Sequence, residues 1–190
     1  MTSESSKYVW YAGYGSNLFR ERFLCYIRGG KFRLGGSDAK GCTDTTLPIE
    51  DRPFIISHSL FFAMKSVYWQ NEGIAFISSK PTEKEFTYGR LWKVTKNQFD
   101  EIWEQEGKSK YYPIKIDLGS DEGGVPIWTI TNNSDLSFSK PSKEYVKTIS
   151  LGLKETYQLS NETISKYMVR KGGIHGNFTE KDLMKICQSV

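Results

Sequence analysis

A chain of 190 residues with 38% hydrophobic and 14% aromatic content is long enough to bury a sizeable core within one domain. A net charge of +4 is too small to mark a nucleic-acid binder, and no apolar run reaches the roughly 20 residues that a membrane span needs. Three cysteines (Cys25, Cys42, Cys187) without metal-ligand spacing, and two histidines (His58, His175) outside any recognisable setting, argue against a disulfide framework, a zinc site or a Ser/Cys hydrolase.

Residues 1–7 read as a polar tail without the apolar centre of a signal peptide, so a cytoplasmic protein is expected. The apolar run Tyr8-Val9-Trp10-Tyr11-Ala12-Gly13 leads into Tyr14-Gly15-Ser16-Asn17-Leu18, breaks at Gly15-Ser16-Asn17 and resumes as Leu18-Phe19-Arg20-Glu21-Arg22-Phe23-Leu24. This reads as a buried strand, a tight turn and a helix, with Ser16 and Asn17 as caps. Unpaired N–H groups at such a junction make an anion receptor, although the same signature also fits a turn that binds nothing. Basic residues between Arg20 and Lys40 read as a solvated, mildly basic surface. Gly29-Gly30 ends the helix, and Lys31 to Arg52 reads as a Gly/Asp/Thr-rich loop, mobile or lid-forming.

Further strands are expected at Leu60–Met64, Gly73–Ile77, Tyr88–Val94, Ile114–Leu118 and Val125–Ile130, the last two forming a hairpin. Pro126 marks an edge or the start of its strand. Six strands with few intervening helices argue for an α+β fold with a mixed, largely antiparallel sheet, curled into a small β-barrel with peripheral helices. Late helices begin at Ser142, with Tyr145, Val146, Ile149, Leu153 and Tyr157 on one face, at Ser160, and at the capping box Thr179–Asp182. One domain spans 1–190, with 171–190 as a C-terminal helical extension.

Between Trp92 and Ile114 the sequence predicts a helix from Thr95 to Gly107, opened by a Thr95/Gln98 capping box. Phe99, Ile102 and Trp103 fall at i, i+3 and i+4, and Glu106 at i+7 shares their face, while Glu101 and Glu104 lie off it. Glu106 either points into the core or bends to water at a frayed end. In the core, desolvation and the carbonyl end of the helix both raise its pKa, as suits a general acid/base near neutral pH.

Three ordered elements, Tyr14-Gly15-Ser16-Asn17-Leu18 after a strand, Leu91-Trp92-Lys93-Val94 leading into Glu104-Gln105-Glu106-Gly107, and Pro141-Ser142-Lys143-Glu144-Tyr145 ahead of Ile149-Ser150-Leu151-Gly152, resemble the gamma-glutamylcyclotransferase-like family. The likeness covers most of residues 8 to 170. It implies a small barrel with a cavity at one end and a transferase of the acyltransferase/amine-lyase type. The Tyr-Gly-Ser-Asn loop would grip the α-carboxylate end of a γ-glutamyl group through backbone amides, and Glu106 would act as general base and acid in closing 5-oxoproline. Tyr11 and Tyr14 would wall the pocket, with Gly15, Ser16 and Asn17 beneath the substrate. Tyr145 either reaches the pocket with its hydroxyl or bonds a backbone carbonyl in the core. The family's tyrosine after the catalytic Glu-Gly corresponds to either Tyr111 or Tyr112. The loop 31–52 and the stretch Ser66–Gly73 would shape the leaving-group side.

No cofactor is expected, because aligning amine and carbonyl removes most of the entropic barrier. The expected partner is a small γ-glutamyl amine or amino acid, with neither nucleic acid nor membrane, and a homodimer is allowed for. The alternative is a non-catalytic module that binds an amino-acid-like ligand in the same cavity. A dinucleotide site at Gly13-x-Gly15 fails, since Leu18 stands where the third glycine belongs.

Overall fold

The first strand, β1 (Tyr8–Gly13), is buried along nearly its whole length because it runs through the middle of a five-stranded sheet. In the computed structural model, which describes residues 7–189, the strand order is β2-β5-β1-β7-β6. These strands are β2 (Asp51–Ile56), β5 (Thr87–Thr95), β6 (Ile114–Ser120) and β7 (Pro126–Thr131). Among the described strands of this sheet, only the β1–β7 pair is parallel, with Trp10 opposite Ile127. All other pairs are antiparallel. A second ladder joins β3 (Leu60–Ser66) to β4 (Glu72–Ile77).

The sheet is therefore mixed and largely antiparallel, as the strand pattern implies, but its ladder does not close into a barrel among the described residues. β2 and β6 remain edges and face one another across a cleft of about 310 Å³ lined by Phe54–Ile56 and Ile116–Leu118. Strand β2 is absent from the sequence reading, which ended its loop at Arg52. Its central residues are exposed, and Pro53 pairs with Arg90 without an N–H to give the ladder, so it carries little of the apolar alternation of a strand. Pro126 is the first residue of β7, where its missing N–H costs no interior ladder bond. The polar tail assigned to 1–7 lies, apart from Lys7, outside the described residues.

Five α-helices surround the sheets among the described residues: α1 (Arg20–Arg28), α2 (Lys96–Gln105), α3 (Lys143–Tyr157), α4 (Asn161–Met168) and α5 (Glu180–Gln188). Ser142, Ser160 and Thr179 cap the last three by accepting N–H groups of Tyr145, Thr163 and Asp182. Helix α5 packs back on α3, where Lys154 donates to the Cys187 carbonyl at 2.6 Å. Among the described residues, no helix is long and apolar enough to cross a membrane. The three cysteines are free.

Two features fix the site's surroundings. The loop between α1 and β2 is pinned rather than lid-like: Cys42 N donates to Ile27 O at 2.9 Å, Gly41 N to the Gln105 side chain at 3.0 Å, and Gln98 Nε2 to Asp44 O and Thr46 O at 2.9 and 2.8 Å. A 3₁₀ turn, Val67–Trp69, projects between β3 and β4, extended by left-handed backbone at Gln70 and Asn71. Gly36 N donates to Tyr68 O at 2.9 Å, tying the loop to this turn so that both form one wall.

Candidate active site

Residues Gly15–Leu18 do not begin the following helix. They form a separate 3₁₀ turn, and α1 starts two residues later, at Arg20. The expected capping by Ser16 and Asn17 is therefore wrong: the residue before α1 is Phe19, which gives no side-chain cap. The first N–H of α1, that of Arg20, is instead taken by the Glu155 carboxylate of α3 at 3.0 Å. Freed from capping, the Asn17 side chain turns inward. Its amide donates to Tyr11 Oη at 3.0 Å and to a carboxylate oxygen of Glu106.

Glu106 reaches that point because α2 ends where it does. The Thr95/Gln98 capping box forms, and Phe99 and Ile102 bury the inward face. Glu106 follows as the C-cap, still right-handed at φ −72°, with its N–H on Ile102 O at 2.9 Å. Gly107 (φ +87°) then ends the helix. Of the two off-face glutamates, Glu104 is exposed and pairs with Lys108. Glu101 is not simply solvated, since it accepts from Thr43 N at 3.1 Å and Thr43 Oγ1 at 2.5 Å.

Burial pushes the Glu106 carboxyl above its ordinary pKa. The Arg22 guanidinium, the Asn17 amide and the Tyr26 hydroxyl act against that shift by favouring the charged form. The result is a carboxylate that takes up a proton more readily than an exposed one.

Around it stands a ring of tyrosines. Tyr14 donates to Ile130 O at 2.7 Å, and Tyr112 to Ala75 O at 3.0 Å. Tyr145 accepts from Ala75 N at 3.2 Å, and its hydroxyl also faces Ser16, with the phenol pushed up to about 12 mainly by burial. Gly15 lies directly beneath that hydroxyl. Its φ of +62° is left-handed, and an added Cβ would fall 2.9 Å from Ala75 Cβ and 3.0 Å from Tyr145 Oη, so glycine meets both demands.

These residues border two spaces. A cavity of about 320 Å³ is lined by Ser16, Glu106 and Tyr145, by both Tyr111 and Tyr112, and by the wall of Tyr68 and Trp69. Behind it, Tyr11, Tyr14 and Asn17 enclose a void of about 10 Å³, which also touches Ser16, Glu106, Tyr112 and Tyr145. Tyr11 and Tyr14 thus back the site and do not wall the larger cavity, whereas Asn17 meets it through Glu106.

Two residues on the cavity wall were not singled out from the sequence. Arg22 is only 1% exposed, and Tyr26, one turn further on, is also buried. The expectation of a solvated basic surface fails at Arg22. Its signal was present: Arg22 and Tyr26 stand at i and i+4 beside Phe23 and Ile27, the inward face of α1.

The mixed sheet with its flanking helices has a gamma-glutamylcyclotransferase-like fold. A solved structure described as gamma-glutamyl cyclotransferase superposes with a TM-score of 0.61 at 22% identity, covering 96% of this chain and 99% of that one. An uncharacterized Homo sapiens protein superposes with a TM-score of 0.60 at 22% identity, covering 95% and 98%. Among curated proteins, the chain is 27% identical to a Homo sapiens gamma-glutamylcyclotransferase over 76% of its own length and 70% of that protein's. It is 28% identical to Arabidopsis thaliana histone deacetylase 5 over 84% of its own length, but this spans only 30% of that relative. No family model matches the chain. The family resemblance drawn from the sequence is borne out.

Proposed function

We propose that this chain is an enzyme that cyclises the γ-glutamyl group of a small γ-glutamyl amine or amino acid to 5-oxoproline, releasing the amine. The observation that carries this reading is the Glu106 carboxylate on the wall of a cavity of about 320 Å³, held from behind by the Asn17 amide. Substrate binds with its α-carboxylate end toward the Gly15–Asn17 turn and its leaving group toward Tyr68 and Trp69. The α-amino nitrogen attacks the γ-carbonyl carbon, and Glu106 takes the N–H proton as the new C–N bond forms. The tetrahedral carbon then expels the leaving nitrogen, breaking the old C–N bond, while Glu106 returns the proton to that nitrogen. One carboxyl serves both steps because its raised affinity for the proton lies on the path between amine donor and amine acceptor. The fixed pocket contributes mainly by holding the amine beside the carbonyl.

The test is to incubate purified, chelator-treated protein with a panel of γ-glutamyl compounds and to follow products by mass spectrometry. Release of 5-oxoproline with stoichiometric amine is the expected result. Release of free glutamate would replace cyclisation by hydrolysis, and silence across the panel would favour a binding module.

A further inference from the structure

Two buried arginines stand near the sheet, and they are treated differently. Arg90 is paired directly with Asp51 at 2.5 Å and Glu155 at 3.3 Å. Arg22, equally buried, forms no ion pair with a carboxylate among the described residues. One of its terminal nitrogens donates to the Tyr26 hydroxyl, while Nε and the other terminal nitrogen have no hydrogen-bond partner. The guanidinium is held between the Tyr26 ring, 4.3 Å to the ring centre, and the Gly36 backbone, where an added Cβ would sit 3.1 Å from its central carbon. A buried cation left without an adjacent anion is costly unless its charge is compensated a short way off.

The compensation is at hand. The Tyr26 hydroxyl accepts from Arg22, and Arg22, Tyr26 and Glu106 line the same cavity, where both the guanidinium and the hydroxyl favour the charged form of the Glu106 carboxyl. The ionisable groups acting with Glu106 are Arg22 and Tyr26 from α1, Tyr11 from β1, Tyr14 just after it, Tyr112 ahead of β6 and Tyr145 from α3. At neutral pH Arg22 alone of these is charged, because every tyrosine in the set is held above its ordinary range.

We propose that Arg22 is a positioning residue for the reaction, supplying the countercharge of Glu106 through the Tyr26 hydroxyl. The inference rests on the catalytic reading of Glu106 and deepens it. Burial favours the protonated form of Glu106, and Arg22 restrains that shift by favouring the charged carboxylate, the form that acts as the base. Once Glu106 has taken the proton, Arg22 loses its compensating charge, and this drives the proton onward to the leaving nitrogen. A rigid cation does this without touching substrate, and the sandwich of Tyr26 and Gly36 supplies the rigidity.

The test reads the Glu106 titration directly by carboxyl ¹³C NMR of glutamate-labelled protein, the signal being assigned by its loss in Glu106→Gln. In Arg22→Gln the midpoint should rise, with proton affinity increasing about tenfold, as for removal of an opposite charge at short range. Tyr26→Phe should raise it less, and Arg22→Lys should restore most of the parent value. In unmodified protein the Arg22 Nε–H resonance should shift with the Glu106 midpoint and lose that inflection in Glu106→Gln, which keeps the test sound should Arg22→Gln not fold. In active protein the acidic limb of kcat/KM should move up with the NMR midpoint. A Glu106 midpoint unchanged in folded Arg22→Gln, or an Arg22 resonance blind to Glu106, would overturn the proposal. Both readouts work without substrate, so failure of cyclisation would reject the reaction and leave this coupling to be judged separately.

Discussion

The Asn17 side-chain amide donates to the Glu106 carboxylate across 89 residues of sequence, joining the turn after β1 to the end of α2. The same amide also holds Tyr11 Oη, so the turn, the central strand and the helix end share one polar contact. Such a link fixes the carboxylate's position and favours its charged form.

Glu106→Gln keeps this shape and removes the proton carrier. Turnover should drop by about 10²–10⁴-fold or more, the usual contribution of a positioned acid/base, with circular dichroism unchanged. A folded Gln variant with near-parent kcat would exclude Glu106 as the acid/base.

The raised pKa of Glu106 has a thermodynamic counterpart. The folded chain holds this proton more tightly than the unfolded chain, so the charged carboxylate costs stability, absent below the unfolded value of about 4.3 and complete above the folded one. Compared with the parent, Glu106→Gln should therefore be more favourable at about pH 7 than at about pH 4. Urea midpoints at the two pH values check it, and a reversed difference would mean that the folded pKa is lowered.

Gly15→Ala combines left-handed strain with a collision against Ala75 and Tyr145 Oη. A loss of about 1–3 kcal/mol is expected, or a fall in Tm of roughly 3–10 °C by calorimetry, together with loss of turnover as Tyr145 is pushed from the turn. An alanine variant with parent Tm and activity would show that the turn adapts freely.

Tyr68 is 54% exposed on the cavity wall. Tyr68→Ser should leave stability within about 0.5 kcal/mol, as at most surface positions. On the proposed reaction, it should raise KM for bulky leaving amines several-fold with little effect on small ones. Equal KM changes for both would remove this turn from leaving-group selection.

Much of this protein is local and was legible in the sequence. The caps Thr95, Ser142, Ser160 and Thr179 set their helices through bonds that reach only three residues, and the face of Phe99, Ile102 and Glu106 follows from helical period alone. The turn at Gly15 and the hairpin of β6 and β7 are likewise short-range. What required tertiary structure was every pairing across distance. Strand β2 exists because β5 offers an edge, not because Arg52-Pro53 favours extension. Asn17, a plausible cap by its neighbours, faces inward because a carboxylate 89 residues away accepts its amide. Arg22 reads as surface charge by composition, yet the Gly36 loop closes over it and the fold sets it on the same cavity wall as Glu106. Hydrogen bonds within a turn are encoded by neighbours, whereas burial of a charge depends on which distant segment covers it.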